Sequence, residues 1–123
     1  MRQRCVTLVI VLYAAAAWAD CDRTKTDYDV VYCGTKIYLQ ADQELNDAYK
    51  QLVSKLNTEG KQLLKAGQLA WIETRNTQCT TRQTNNILVD LDCATNTTVE
   101  RTRFLNDRYR ECVSAGCLNS KLR

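Results

Sequence analysis

Gln68-Leu69-Ala70-Trp71-Ile72-Glu73-Thr74-Arg75-Asn76-Thr77-Gln78-Cys79 is the stretch that decides the reading of this chain. Gln68, Trp71, Arg75 and Cys79 recur at steps of three, four and four, so on an α-helix they share one face over three turns. An aromatic anchor, a fixed cation, an amide and a sulfur on one stripe suit the inner face of a central helix. Trp and Arg are also the residue types enriched at binding hot spots. An inward Arg75 demands a partner, because an unpaired buried charge is costly. The candidates are Glu44 and Asp47 of a preceding helix or an aromatic ring. Gln68 would then satisfy backbone groups at the helix contact.

Upstream, Ala41, Leu45, Ala48, Leu52 and Leu56 repeat at helical spacing, widened by Tyr38, Tyr49 and Val53. This predicts a first helix over Thr35 to Asn57, after an irregular lead-in or a short helix over Asp20 to Cys33 and a break at Gly34. Asn57-Thr58-Glu59-Gly60 reads as a turn, and Lys61 to Thr80 as the second helix. Gly67 there invites close approach of a neighbouring backbone. Thr81 to Asn96 is polar and reads as a tethered loop whose middle, Ile87 to Leu91, could be briefly extended. Thr97-Thr98-Val99-Glu100 has the form of a capping box that opens a third helix to about Val113. Ser120 to Arg123 is expected to fray. The fold class is therefore all-α, a small disulfide-stapled bundle of about three helices with a tethered loop between the second and third.

The 123-residue chain carries seven cysteines and no histidine. Arg2 and Arg4, the apolar run Val6–Trp18 and Ala17-Trp18-Ala19 have the form of a cleavable export signal over residues 1–19. The run is too short to span a bilayer, so no stable membrane anchor is expected after cleavage, and residues 20–123 would form one domain. The expected location is periplasmic or secreted. Of 17 basic side chains two leave with the signal, so 15 face 14 acidic ones. That near-neutral balance argues against nucleic-acid binding. Arg101, Arg103, Arg108 and Arg110, interleaved with acids, read as a solvated face.

Cys21, Cys33, Cys79, Cys93, Cys112 and Cys117 remain, an even set in a short exported chain, which implies disulfides. Sequence proximity favours Cys21–Cys33, Cys79–Cys93 and Cys112–Cys117, with Cys33–Cys112 as the alternative. No C-x-x-C pair or histidine suggests a metal site, and no cofactor is expected. The absence of histidine also removes Ser-His and Cys-His pairs, and the carboxylates present are spaced as surface charges, so no enzyme activity is expected. Recognition of a protein partner is expected on the loop, through Arg82, Asn85, Asn86, Asp90 and Asp92.

Two motifs resemble a known family. Ala41-Asp42-Gln43-Glu44-Leu45-Asn46-Asp47-Ala48-Tyr49 is similar to the "aDxeLNxaY" helix of the LprI-like lysozyme-inhibitor domain. Gln68 to Cys79 is similar to its "QxaWixxRdxxC" helix, and Cys93, Thr97 or Thr98, and Arg101 to Leu105 resemble its closing "C…TxxRxxxL" segment. Asn76 stands where Asp is usual, Gly67 where Ala is common, and the Cys112/Cys117 pair is an addition. The resemblance implies a small exported helical domain in which Leu45, Asn46, Tyr49, Gln68, Trp71 and Arg75 are motif and core positions. It also implies inhibition of lysozyme by at least some members. Lysozyme is cationic, so a neutral inhibitor lacks the steering that negative charge supplies. The alternative reading is a non-inhibitory cell-envelope interaction module or an immunity or accessory protein.

Overall fold

A computed structural model describes residues 21–123, so the expected signal over residues 1–19 lies outside the described residues. The order is α1 (Asp27–Val53), α2 (Thr58–Gln78), β1 (Thr80–Arg82), β2 (Ile87–Val89), α3 (Leu91–Ser114) and a 3-10 turn at Asn119–Lys121. The all-α expectation holds, with one small departure: β1 and β2 form an antiparallel hairpin.

Helix α1 starts at Asp27, well before the expected Thr35. Thr26 and Asp29 form a reciprocal cap: the Thr26 hydroxyl accepts the Asp29 N–H, and the Asp29 carboxylate accepts the Thr26 N–H, both at 3.1 Å. Gly34 does not break the helix. A β-carbon there would sit 3.2 Å from Leu91 Cδ1, so the missing side chain admits the start of α3. The helix stops at Val53 rather than Asn57, because Asn57 is committed to capping α2 and accepts the Gly60 N–H at 2.7 Å. Gly60 thus lies in the first turn of α2, not in a loop.

The core is formed by Leu45, Ala48, Leu52, Leu56, Leu64, Leu105 and Leu122. Trp71, Tyr49, Val53 and Phe104 pack against it while staying partly exposed. Helix α1 lies chiefly along α3. The expected stripe Ala41, Leu45, Ala48, Leu52 and Leu56 is buried throughout. Full burial of one such leucine stabilises by about 1.5–3 kcal/mol relative to exposure.

Helix α3 begins at Leu91, and the Thr97–Glu100 capping box expected above is not used as a helix start. Asp90 caps instead, its Oδ1 accepting the Cys93 N–H at 2.9 Å. Ala94 and Thr98 are buried within the helix. Their burial outweighs the weak helix preference of Thr and Asn in this stretch.

The C-terminus is not frayed. Gly116 takes φ +100° and reverses the chain after α3. The 3-10 turn then brings Leu122 to 1% exposure in the core. It docks over Gly67, where a β-carbon would lie 2.9 Å from Arg123 Cα and 3.0 Å from the Leu122 carbonyl oxygen. The close approach expected at Gly67 is therefore made by the C-terminal segment. The three disulfides join Cys21 to Cys33, Cys79 to Cys93 and Cys112 to Cys117, each pair being neighbours in sequence.

Candidate functional site

The segment expected to be a polar loop is a hairpin with its base fixed twice. Cys79 and Cys93 are bonded across it, with Cα atoms 5.5 Å apart, and the Asp90 N–H donates to the Cys79 carbonyl at 2.9 Å. Thr80 pairs with Val89, Thr81 with Leu88 and Arg82 with Ile87. The Gln83 N–H donates to the Asn86 carbonyl at 2.8 Å, which leaves Thr84 and Asn85 at the tip.

Side chains alternate across a strand pair. Thr80, Arg82, Ile87 and Val89 therefore share one face, and that face lines a groove of about 800 Å³ with Leu69, Ile72, Glu73, Asn76 and Thr77 of α2. Thr81 and Leu88 fall on the other face. Ile87, Leu88 and Val89 are all more than half exposed, at 61%, 54% and 57%. The fixed hairpin thus shows exposed aliphatics on both faces, Ile87 and Val89 toward the groove and Leu88 on the opposite side.

Of the residues expected to carry recognition, Arg82, Asn85 and Asn86 lie on the hairpin and are exposed. Arg82 forms no ion pair among the described residues. Asp90 is spent on the α3 cap and Asp92 sits in the first turn of α3, so these two belong to a helix start rather than the hairpin. Sequence reasoning missed the contribution of Ile87 and Val89 and of the outer face of α2. The signal was the unbroken apolar triplet within a polar stretch.

The Gln68–Cys79 stripe is occupied by contacts between helices. The Arg75 guanidinium lies 5.0 Å from the Trp71 ring centre and 5.8 Å from that of Tyr38. Its acidic partner is Asp42, at 3.8 Å, not the expected Glu44 or Asp47. Asp42 is one turn from Asn46, whose amide donates to the Asp42 carbonyl at 2.9 Å and carboxylate at 3.2 Å. Gln68 does not serve backbone groups either. Its Oε1 accepts from Arg101 Nε at 2.9 Å. Arg101 lies 4.4 Å from the Phe104 ring centre and 5.9 Å from that of Trp71, and burial lowers its pKa. Arg101 and Arg108, which stacks 5.4 Å from Phe104, are thus half-buried partners of aromatic rings, a correction to the solvated face expected above. Tyr38, Arg75, Trp71, Arg101, Phe104 and Arg108 alternate ring and cation across the three helices.

Among the described residues no group of three or more His, Cys, Asp or Glu is placed to hold a metal ion. No helix among them is long and apolar enough to cross a membrane.

A family model described as lysozyme inhibitor LprI matches residues 18–105. The chain belongs to the LprI family. The match takes in α1, α2, the hairpin and the first part of α3, and it ends before the Cys112–Cys117 bridge and the docked C-terminus. No curated protein and no solved structure matches the chain. As an LprI-family protein with three disulfides, it fits an extracytoplasmic location and a lysozyme-like protein partner.

Proposed function

We propose that this LprI-family domain blocks lysozyme-type muramidases sterically, by seating the Thr80–Val89 hairpin in the saccharide cleft. The observation that carries this reading is the hairpin itself: exposed, apolar along Ile87–Val89, and held at its base by Cys79–Cys93. A fixed projection loses less entropy on docking than a free loop. Arg82 is a cation without an ion pair among the described residues, suited to meet the paired carboxylates of a glycosidase cleft. The stripe around Trp71 offers no comparable surface, because Arg75 and Arg101 already cover its ring.

Residues 20–123 carry 15 basic against 14 acidic side chains, a near-neutral balance that favours apolar contact at the hairpin over long-range steering. The test is lysis of cell-wall substrate by lysozyme with equimolar oxidised protein. Inhibition is expected, and Ile87→Asp or Arg82→Glu should weaken it about tenfold or more. No inhibition at micromolar protein would sink the reading. Full inhibition by both variants would move the contact away from the hairpin.

A further inference from the structure

The hairpin does not close onto the helix that carries it. Leu69, Ile72 and Glu73 lie on the side of α2 turned away from the Trp71–Arg75 stripe and line one side of the groove of about 800 Å³. Arg82, Ile87 and Val89 line the other. Both walls carry open aliphatics, Leu69 at 58% exposure, Ile87 at 61% and Val89 at 57%. Facing apolar walls are stabilised by closing on each other or on an apolar occupant, at roughly 25 cal/mol for each Å² removed from water. Here they stay open, on a hairpin whose base is fixed by the Cys79–Cys93 bridge and by the Asp90 N–H bonded to the Cys79 carbonyl.

The charges of the groove are unmet as well. Glu73 on the helix and Arg82 on the strand have opposite signs, yet neither forms an ion pair among the described residues, with each other or with a third group. On the opposite side of the same helix Arg75 has Asp42. Asn76 gives its Oδ1 to Arg75 Nη2 at 3.0 Å, which leaves its amide nitrogen to donate to an occupant of the groove.

We infer that this groove receives the rim of the enzyme's cleft: an extended segment that sets an aliphatic side chain between Leu69 and Ile87 and a basic side chain against Glu73. The inference rests on the hairpin reading above and adds the α2 wall to it, so that hairpin and helix clamp the rim from its two sides. The lining selects a protein segment. No aromatic ring is among the lining residues, so a saccharide has no flat face on which to stack. An ion alone would leave the aliphatic walls in water. An extended peptide fills the space between the walls with its side chains and offers backbone groups to Asn76, Thr77 and Thr80. Lysozyme is cationic, so an unpaired acid beside the hairpin complements it locally even though the chain as a whole is near neutral.

The helix wall can be altered without touching the hairpin, which separates this inference from the reading it rests on. Leu69 and Glu73 are exposed, so Leu69→Asp and Glu73→Lys should leave helical circular dichroism unchanged. Leu69→Asp should weaken inhibition of lysozyme about tenfold or more, and Glu73→Lys at least several-fold. Val113→Glu, at an exposed aliphatic on α3 outside the groove, should leave inhibition intact. Full inhibition by both α2 variants, with loss in Ile87→Asp, overturns the inference and leaves the hairpin reading standing. Equal loss in Val113→Glu and Leu69→Asp overturns it too. Absence of inhibition by the unaltered protein overturns both readings. Retention of the protein on lysozyme-free cell wall, abolished by Leu69→Asp, would assign the groove to glycan and overturn the protein segment as its occupant.

Discussion

Arg101 Nε donates to Gln68 Oε1 at 2.9 Å, tying α3 to α2 beside the Trp71 ring. Arg101 Nη2 is buried without a partner among the described residues, so this one amide is the main polar compensation for a half-buried cation. Gln68→Ala should destabilise the domain by about 1.5–3 kcal/mol, the range for hydrogen bonds to charged groups. In a domain of this size each kcal/mol lowers Tm by about 4–8 °C. A thermal melt followed by circular dichroism checks it, and Gln68→Glu should retain most of the stability.

Gly67 sits inside a helix, where Ala is normally favoured by about 1 kcal/mol. Here the sign reverses. A β-carbon would meet backbone atoms of Leu122 and Arg123, which cannot rotate away. Gly67→Ala should destabilise the intact chain and release its C-terminal segment, seen as faster amide exchange at Lys121 and Leu122. In a chain truncated after Leu118 the same substitution should stabilise, because only the helix preference remains.

Thr98 Oγ1 is buried with no hydrogen-bond partner among the described residues. Val keeps its shape and has similar helix preference. Thr98→Val should therefore raise stability by about 1 kcal/mol, measured by urea unfolding. A loss of stability would reveal a bond to this hydroxyl.

Asp29 gives the acid response. The Lys25 N–H, then the Thr26 hydroxyl and N–H, hold its carboxyl below the usual aspartate range. A depressed folded pKa means that the stabilisation is present above the unfolded value of about 3.9. It is lost as pH falls through the folded value. The first turn of α1 should fray in that acid window, visible as a pH-dependent shift of the Thr26 and Asp29 amide resonances. Asp29→Asn should remove the effect.

The Cys79–Cys93 bridge closes the hairpin segment over a sequence separation of 14 residues. Loop-closure entropy assigns it about 3 kcal/mol. Cys79→Ser with Cys93→Ser should lower Tm accordingly. It should also weaken inhibition of lysozyme by more than the loss of folded protein explains, since the projection is then free to move. Parallel melts and lysis assays separate the two effects.

Much of the fold was legible because helical periodicity and cysteine spacing are local. The Ala41–Leu56 stripe, the Gln68–Cys79 face and the three neighbour-wise disulfides are of this kind. Helix boundaries were less legible. Gly34 and Thr97-Thr98 carry turn and cap signals, yet both lie inside helices, since Gly34 receives Leu91 and Thr98 is buried. The extended middle of the loop was legible at Ile87–Val89, but its partner strand Thr80–Arg82 was hidden, because three residues carry too little alternation to register and the pairing is fixed by the disulfide below it.

By itself the sequence determined the helical class, the disulfide-stapled design and the family motifs, all of which rest on residues near one another along the chain. Only the tertiary structure decided what the charged side chains do. Arg75 found Asp42, and Gln68 found Arg101, because packing angles between helices choose among several chemically equivalent partners. The same packing left Ile87–Val89 and Leu69 facing outward. An apolar residue carries no mark in its own sequence of whether a neighbouring helix will reach far enough to cover it.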